Sequence, residues 1–167
     1  MVALRHQDER VTSRNGIAPA PLDAVSKGII EQLQKDGRMP YAAIGKAVGL
    51  SEAAVRQRVQ RLLDGGVMQI VAVTDPLQLG FARQAMIGIH AEGDIEPIAE
   101  ALSTMAEVDY VIVTAGSFDL MVEVVCESDD HLLELLSKRI RAIAGVRGTE
   151  SFVYLKLHKQ TYSWGVR

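Results

Sequence analysis

Apolar positions recur at helical spacing along the front of the chain and at strand or helix spacing in alternation along the back. Val25, Ile29, Ile30 and Leu33 predict a helix over 22–36, with Gly37 placed to end it. Pro40 suits the first turn of a second helix reaching 48, whose inner face carries Ile44, Ala47 and Val48. Gly49 breaks it. Ser51 is a good N-cap for a third helix over 52–63, with Val55, Val59, Leu62 and Leu63 turned inward. Gly65-Gly66 stops that helix.

The spacing between the second and third helices carries the most information. With Tyr41 as the first residue of the second helix, the fifth is Gly45 and the ninth is Gly49. Two helices crossing steeply over a short turn need a small side chain where they touch and a residue tolerant of positive φ in the turn. Gly45 and Gly49 supply these, and Leu50 and Val55 plug the gap. This predicts a helix-turn-helix whose last helix enters a DNA major groove. Arg56, Gln57, Gln60 and Arg61 then project outward, and Arg58 lies between the faces, within reach of a flanking phosphate. Arginine reads guanine bidentately and glutamine pairs with adenine. Ser51 and Glu52, at the helix N-terminus, are placed for a phosphate or a base edge. Without the glycine spacing, the same row would read as a solvated helix face that happens to carry arginines.

Behind this, "MQIVAVT" (68–74) predicts a strand ended by Asp75-Pro76, and Gly80 is a candidate hinge. Strand-like 84–90 follows. A helix capped by Asp94 extends to 105, with Ile98, Leu102 and Met105 as its apolar row. Then come a strand over 108–114, a turn over 115–118 and a strand over 119–126. Ser128 caps a further helix, with Asp129 and Asp130 at its positive end and Lys138, Arg139 and Arg141 at its negative end. Leu132, Leu136, Ile140 and Ile143 are its expected core row, and Gly145 closes it. Val153, Leu155 and Leu157 alternate with polar residues in an expected last strand over 153–158. The order β-α-β-β-α-β predicts a ferredoxin-like four-stranded antiparallel sheet with both helices on one face. The other face needs a cover, and a second subunit is the natural one.

Composition sharpens this division. Residues 1–64 hold ten Lys/Arg against seven Asp/Glu, and residues 65–167 hold eight against fourteen. A basic front and an acidic back suggest two domains with different partners. No apolar run approaches the ~20 residues of a membrane span, so no membrane association is expected. The polar first fifteen residues do not resemble a secretory signal. The lone Cys126 cannot form an internal disulfide, which fits the cytoplasm. It sits in an apolar strand with no histidine nearby in sequence, so it reads as a buried thiol rather than a nucleophile. His6, His90, His131 and His158 show no metal-ligand spacing, and no phosphate-binding loop or dinucleotide fingerprint occurs. No cofactor, metal or enzymatic activity is expected.

With "RMPYAAIGKAVGLSEAAVRQRVQRL", "GVMQIVAV", "GFARQ" and "TAGSFDLMVEV" in this order, residues 20–162 resemble the Lrp/AsnC (feast/famine) transcriptional regulators. The resemblance implies an α+β architecture: an N-terminal winged helix-turn-helix and a C-terminal regulator-of-amino-acid-metabolism domain. It also implies dimers formed through the sheet, often assembled into octamers, and small effectors, usually amino acids, held between dimers. The family's glycine-x-x-aspartate turn falls on Gly116, Ser117, Phe118 and Asp119, with Thr114 and Ala115 on the approach. Asp119 would pair with an α-ammonium group and nearby N–H groups with a carboxylate. The same residues also suit a plain hairpin turn. Three departures stand out. Gly45 and Pro40 replace the family's usual Ala and Ser/Thr, and Ser117-Phe118 replaces Asp-Tyr, which hints at an apolar effector.

The expected organisation is a flexible arm over 1–20, the DNA-binding domain over 21–66, a strand and hinge over 67–80, the effector and assembly domain over 81–162, and a tail over 163–167. The expected function is a sequence-specific DNA-binding regulator responsive to a small metabolite. The rival is a sirohaem decarboxylase, which shares the two-domain architecture but needs histidines and basic residues converging on a tetrapyrrole. The third helix carries three arginines and no histidine, which suits DNA.

Overall fold

The computed structural model describes residues 22–161 and 165–166. The expected arm over 1–20, and most of the expected tail, lie outside them. The described chain divides into two compact units, residues 22–72 with 161 and 165–166, and residues 73–160.

The first unit is built on three helices, α1 (Ala24–Lys35), α2 (Tyr41–Val48) and α3 (Glu52–Asp64). Asp23 starts α1 by accepting the Ser26 N–H at 2.7 Å, and Ser51 starts α3 by accepting the Ala54 N–H at 3.3 Å. Gly49 ends α2 at φ 73°, the left-handed conformation that favours glycine. Gly45 has a different role: a Cβ there would stand 2.5 Å from the Leu50 carbonyl oxygen. Its missing side chain lets the turn fold back until the Leu50 N–H reaches the Gly45 carbonyl at 2.9 Å. The core is small and consists of Ile29, Leu33, Ile44, Val55 and Val59, with Leu50 and Leu63 packed on it. The strand expected over 68–74 does not form a ladder. No strand among the described residues pairs with it, and Val71 and Val73 are exposed. The helix-turn-helix is present, and among the described residues its expected wing strand is not formed.

The second unit opens with a short 3₁₀ turn, Pro76–Leu79, ended by Gly80 at φ 93°. Then follow β1 (Arg83–Ala91), α4 (Glu96–Ser103), β2 (Val108–Val113), β3 (Leu120–Cys126), α5 (Asp129–Glu134, continued as a π-helical turn Leu135–Ile140) and β4 (Val146–Val153). All pairings are antiparallel, in the order β2-β3-β1-β4 expected of the ferredoxin-like unit. Ala85, Ile87 and Ile89 of β1 and Leu120, Val122 and Val124 of β3 meet Ile98 and Leu102 of α4 and Leu132, Leu135 and Ile140.

Two expectations are corrected here. The second helix of this unit buries Leu135 as well as the expected Leu132 and Ile140, while the expected Leu136 and Ile143 are partly buried against the same core. The Arg141 N–H bonds the Leu136 carbonyl five residues back, and this wider turn puts Leu135 and Ile140 on one face. The last strand is Val146–Val153, not 153–158. The ladder with β1 reaches Ala85↔Val153, and the Tyr154 N–H still finds the Gln84 carbonyl. Only Arg83 of β1 lies beyond that point, and Leu155, 96% exposed, pairs with no strand among the described residues.

On the sheet face away from the helices, Met86, His90, Tyr110, Ile112, Met121 and Phe152 stand in register. Tyr110, Ile112 and Phe152 are exposed. Gln84 donates to Glu123 at 2.8 Å on the same face. Nearby, burial and then Glu123 push the Tyr154 hydroxyl up to about 12.

Candidate nucleic-acid interface and effector turn

Along α3, Val55, Val59 and Leu62 are buried, and Ala53, Gln57, Gln60, Arg61 and Asp64 are exposed opposite them. Gln60 donates to Asp64 at 2.8 Å. Gln57 and Arg61 have no side-chain partner among the described residues, so both remain available to a ligand. The remaining two arginines lie on opposite flanks. Arg56 donates to Glu52 one turn earlier at 2.8 Å, and its guanidinium carbon stands 5.3 Å from the centre of the Tyr41 ring. Both charged groups are more than half exposed.

Arg58 faces α1 instead. It donates to the Asp23 carboxylate at 2.6 Å and the Ser26 hydroxyl at 3.1 Å, and it is 29% exposed. The Ser26 N–H, then the Ser26 hydroxyl and Arg58, hold the Asp23 carboxyl down at about 2. Arg58, expected within reach of a phosphate, is thus bonded to α1 and its N-cap in this structure. Ser51 and Glu52 do sit at the α3 N-terminus as expected, although the Ser51 oxygen already serves as cap.

In the second unit, the turn between β2 and β3 is held from below. The Thr114 N–H bonds the Asp119 carbonyl at 3.0 Å, and the Thr114 hydroxyl donates to the Phe118 carbonyl. Asp119 ties the turn to β1: its N–H donates to the Ile89 carbonyl at 3.0 Å, and its carboxylate accepts the Ala91 N–H at 2.7 Å. Ala115, Gly116 and Ser117 form the exposed tip. Their N–H groups, with that of Phe118, have no acceptor among the described residues. Phe118 folds back over Gly88, where a Cβ would come within 2.7 Å of its ring. It lies 4.9 Å from the His90 ring and 6.0 Å from that of Phe152. Donor N–H groups thus stand beside a carboxylate, but that carboxylate already has one backbone partner.

Three features escaped the sequence. The Tyr41 contact with Arg56 joins two helices, and the bond from Arg58 to Asp23 spans 35 residues, so no periodicity reveals either. The third is a shallow cavity of about 220 Å³ lined by Glu92, Gly145, Val146 and Arg147. The Glu92 carboxylate and the Arg147 guanidinium are ion-paired at its edge. The cavity forms where the Glu92 N–H meets the Gly145 carbonyl. Among the described residues no group of His, Cys, Asp and Glu could hold a metal, and no helix is long and apolar enough to cross a membrane.

Comparison with known proteins places these parts. Residues 22–63 match the model of the AsnC-type helix-turn-helix domain, and residues 81–167 match that of a C-terminal dimeric α+β barrel domain. The chain is 36% identical over 142 residues to the HTH-type transcriptional regulator FL11 of Pyrococcus furiosus, covering 84% of this chain and 93% of that protein. The solved structure of Escherichia coli AsnC superposes with a TM-score of 0.74 at 26% identity, covering 86% of this chain and 98% of that one. A Neisseria meningitidis transcriptional regulator, solved in complex with L-Met, shares the fold with a TM-score of 0.75 at 22% identity, covering 88% and 97%. A helix-turn-helix on the Gly45/Gly49 pattern, followed by the four-stranded α+β domain and matched across most of its length by these regulators, makes this chain a member of the Lrp/AsnC family of transcriptional regulators.

Proposed function

We propose that the protein is a sequence-specific DNA-binding regulator whose assembly or DNA affinity responds to a small effector of the amino-acid class. The observation that carries this reading is the outward row of α3. There Gln57 and Arg61 are free of partners among the described residues, Arg56 is exposed beside Glu52, and nothing described in the first unit covers them. Ser51, Glu52, Arg56, Gln57, Gln60 and Arg61 form the DNA surface. Arg58 acts as a strut from α3 to α1 rather than as a phosphate contact.

The effector site is the turn of Thr114, Ala115, Gly116, Ser117, Phe118 and Asp119. Its open N–H groups suit a carboxylate, and the second oxygen of Asp119 suits an ammonium group. The same fold in the N. meningitidis regulator holds an amino acid. The exposed apolar residues of the open sheet face support a homodimer closed through that face, with further assembly into octamers. The protein works in the cytoplasm on double-stranded DNA.

The test is fluorescence anisotropy with a promoter duplex. Replacing both Arg56 and Arg61 with Ala is expected to weaken binding by ~1–3 kcal/mol for each base-reading arginine. The salt slope should fall by ~0.9 for each phosphate that is no longer neutralised. Unchanged affinity in a folded double variant refutes the assignment of α3.

A further inference from the structure

Resting on the reading of α3 as the DNA surface, the geometry points to Glu52 and Arg56 as the specificity determinants, held in place by Tyr41, and to two nearby G·C pairs as what they read. On its own, an exposed ion pair one helical turn apart would be a weak surface pairing. Here a third group from another helix takes part. Arg56 is bonded to Glu52 at 2.8 Å on one side and stands over the Tyr41 ring, 5.3 Å from its centre, on the other. Tyr41 is the first residue of α2 and is itself half-buried against the helix core, so its ring is a fixed platform. A guanidinium placed over an aromatic face and tied to a carboxylate is biased toward one set of rotamers before any DNA arrives. That lowers the ordering cost of docking it against a base.

The chemistry of the two groups then names the bases. A guanidinium pairs bidentately with guanine O6 and N7, and a carboxylate accepts from cytosine N4. Residues four apart lie about 6 Å apart along a helix axis, and base pairs succeed one another at about 3.4 Å. Glu52 and Arg56 therefore reach neighbouring or next-but-one pairs. The other two arginines do not compete for this role. Arg58 is engaged by Asp23 and Ser26, and Arg61 has no second group among the described residues to orient it. Arg61 is a phosphate contact, and Tyr41 is a positioning residue acting through Arg56.

The experiment uses the full chain and a duplex library with a randomised core, followed by anisotropy on the selected duplex and its single-base variants. Wild type is expected to select a guanine and a cytosine on neighbouring or next-but-one pairs. Arg56→Ala should flatten the guanine preference by about ten- to a hundredfold. Glu52→Gln should move the cytosine position toward adenine, the base glutamine pairs with. Tyr41→Leu should relax guanine discrimination with the salt slope unchanged. Tyr41→Phe, which keeps the ring face, should restore it. Thermal melting shows that each variant is folded. A folded Tyr41→Leu variant that keeps full discrimination, or that loses affinity equally for every duplex, overturns the proposal. So does a selected site without the G/C signature. If wild type enriches no duplex at all, the reading of α3 as a DNA surface fails, an outcome distinct from the other three.

Discussion

The two candidate surfaces are made of different material. On α3 the chemistry resides in side chains, and contacts between side chains preset it: Glu52 and Tyr41 on Arg56, Asp64 on Gln60. On the β2–β3 turn it resides in main-chain N–H groups and the one carboxylate of Asp119, held by the main chain of β1: the Ile89 carbonyl accepts the Asp119 N–H and the Ala91 N–H donates to the Asp119 carboxylate. A surface of the first kind can change what it recognises by single substitutions without disturbing the fold. A surface of the second kind is set mainly by chain path, so apart from Asp119 it is altered by residues that steer the backbone or pack beneath it. The units beneath differ in the same sense. Among the described residues, the core cluster of the first holds five buried apolar side chains and that of the second twelve.

The largest expected effect tests that difference in core size. Ile44→Ala and Ile87→Ala each remove a fully buried side chain, at about 2–5 kcal/mol. A three-helix unit this small has little stability to lose. Ile44→Ala should unfold it, abolishing DNA binding while the strand signal in circular dichroism persists. Ile87→Ala should lower the melting temperature of the sheet unit but leave it folded. Equal behaviour of the two variants would remove the contrast.

Next is Gly88→Val. The new side chain would occupy the space of the Phe118 ring, costing about 1–3 kcal/mol and turning Phe118 away from His90 and Phe152. Effector responses in a thermal-shift screen of amino acids should change. An unaltered screen would separate Phe118 from the effector turn.

The smallest effect is expected from Asp23→Asn. The side-chain oxygen can still cap α1, but the charge facing Arg58 is gone. A carboxyl held down at about 2 contributes stability that is complete above its ordinary value of 3.8 and is lost as pH falls toward 2. Wild type should therefore lose more melting temperature than the variant between pH 5 and pH 2. Parallel pH profiles would show that the strut contributes nothing.

How much of this was legible in the chain depends on how far apart the interacting residues lie. Helix starts at Ser51 and Ser128 follow from bonds across three residues, and both occur. The turn at Gly49 follows from a steric rule, and it too occurs. The strand expected over 68–74 and the one over 153–158 failed for one reason. Alternation shows that a segment suits a sheet, but a strand also needs a neighbour to bond with. The real β4, "VRGTESFV", alternates poorly because it is an edge strand, and it was hidden by the better pattern just after it. Leu135 joins the core row although a regular 3.6-residue period leaves it out, because the chain makes a π turn there.

The sequence by itself determined the helices, most of the strands and the helix-turn-helix, since these rest on spacing, caps and glycines acting over a few residues. It also marked which residues of α3 turn outward. Only the tertiary structure decided what Arg56 and Arg58 touch. Arg56 meets Tyr41, and Arg58 meets Asp23, across helices that fold together. A side chain's partner depends on distances in space, and those are set when the helices pack.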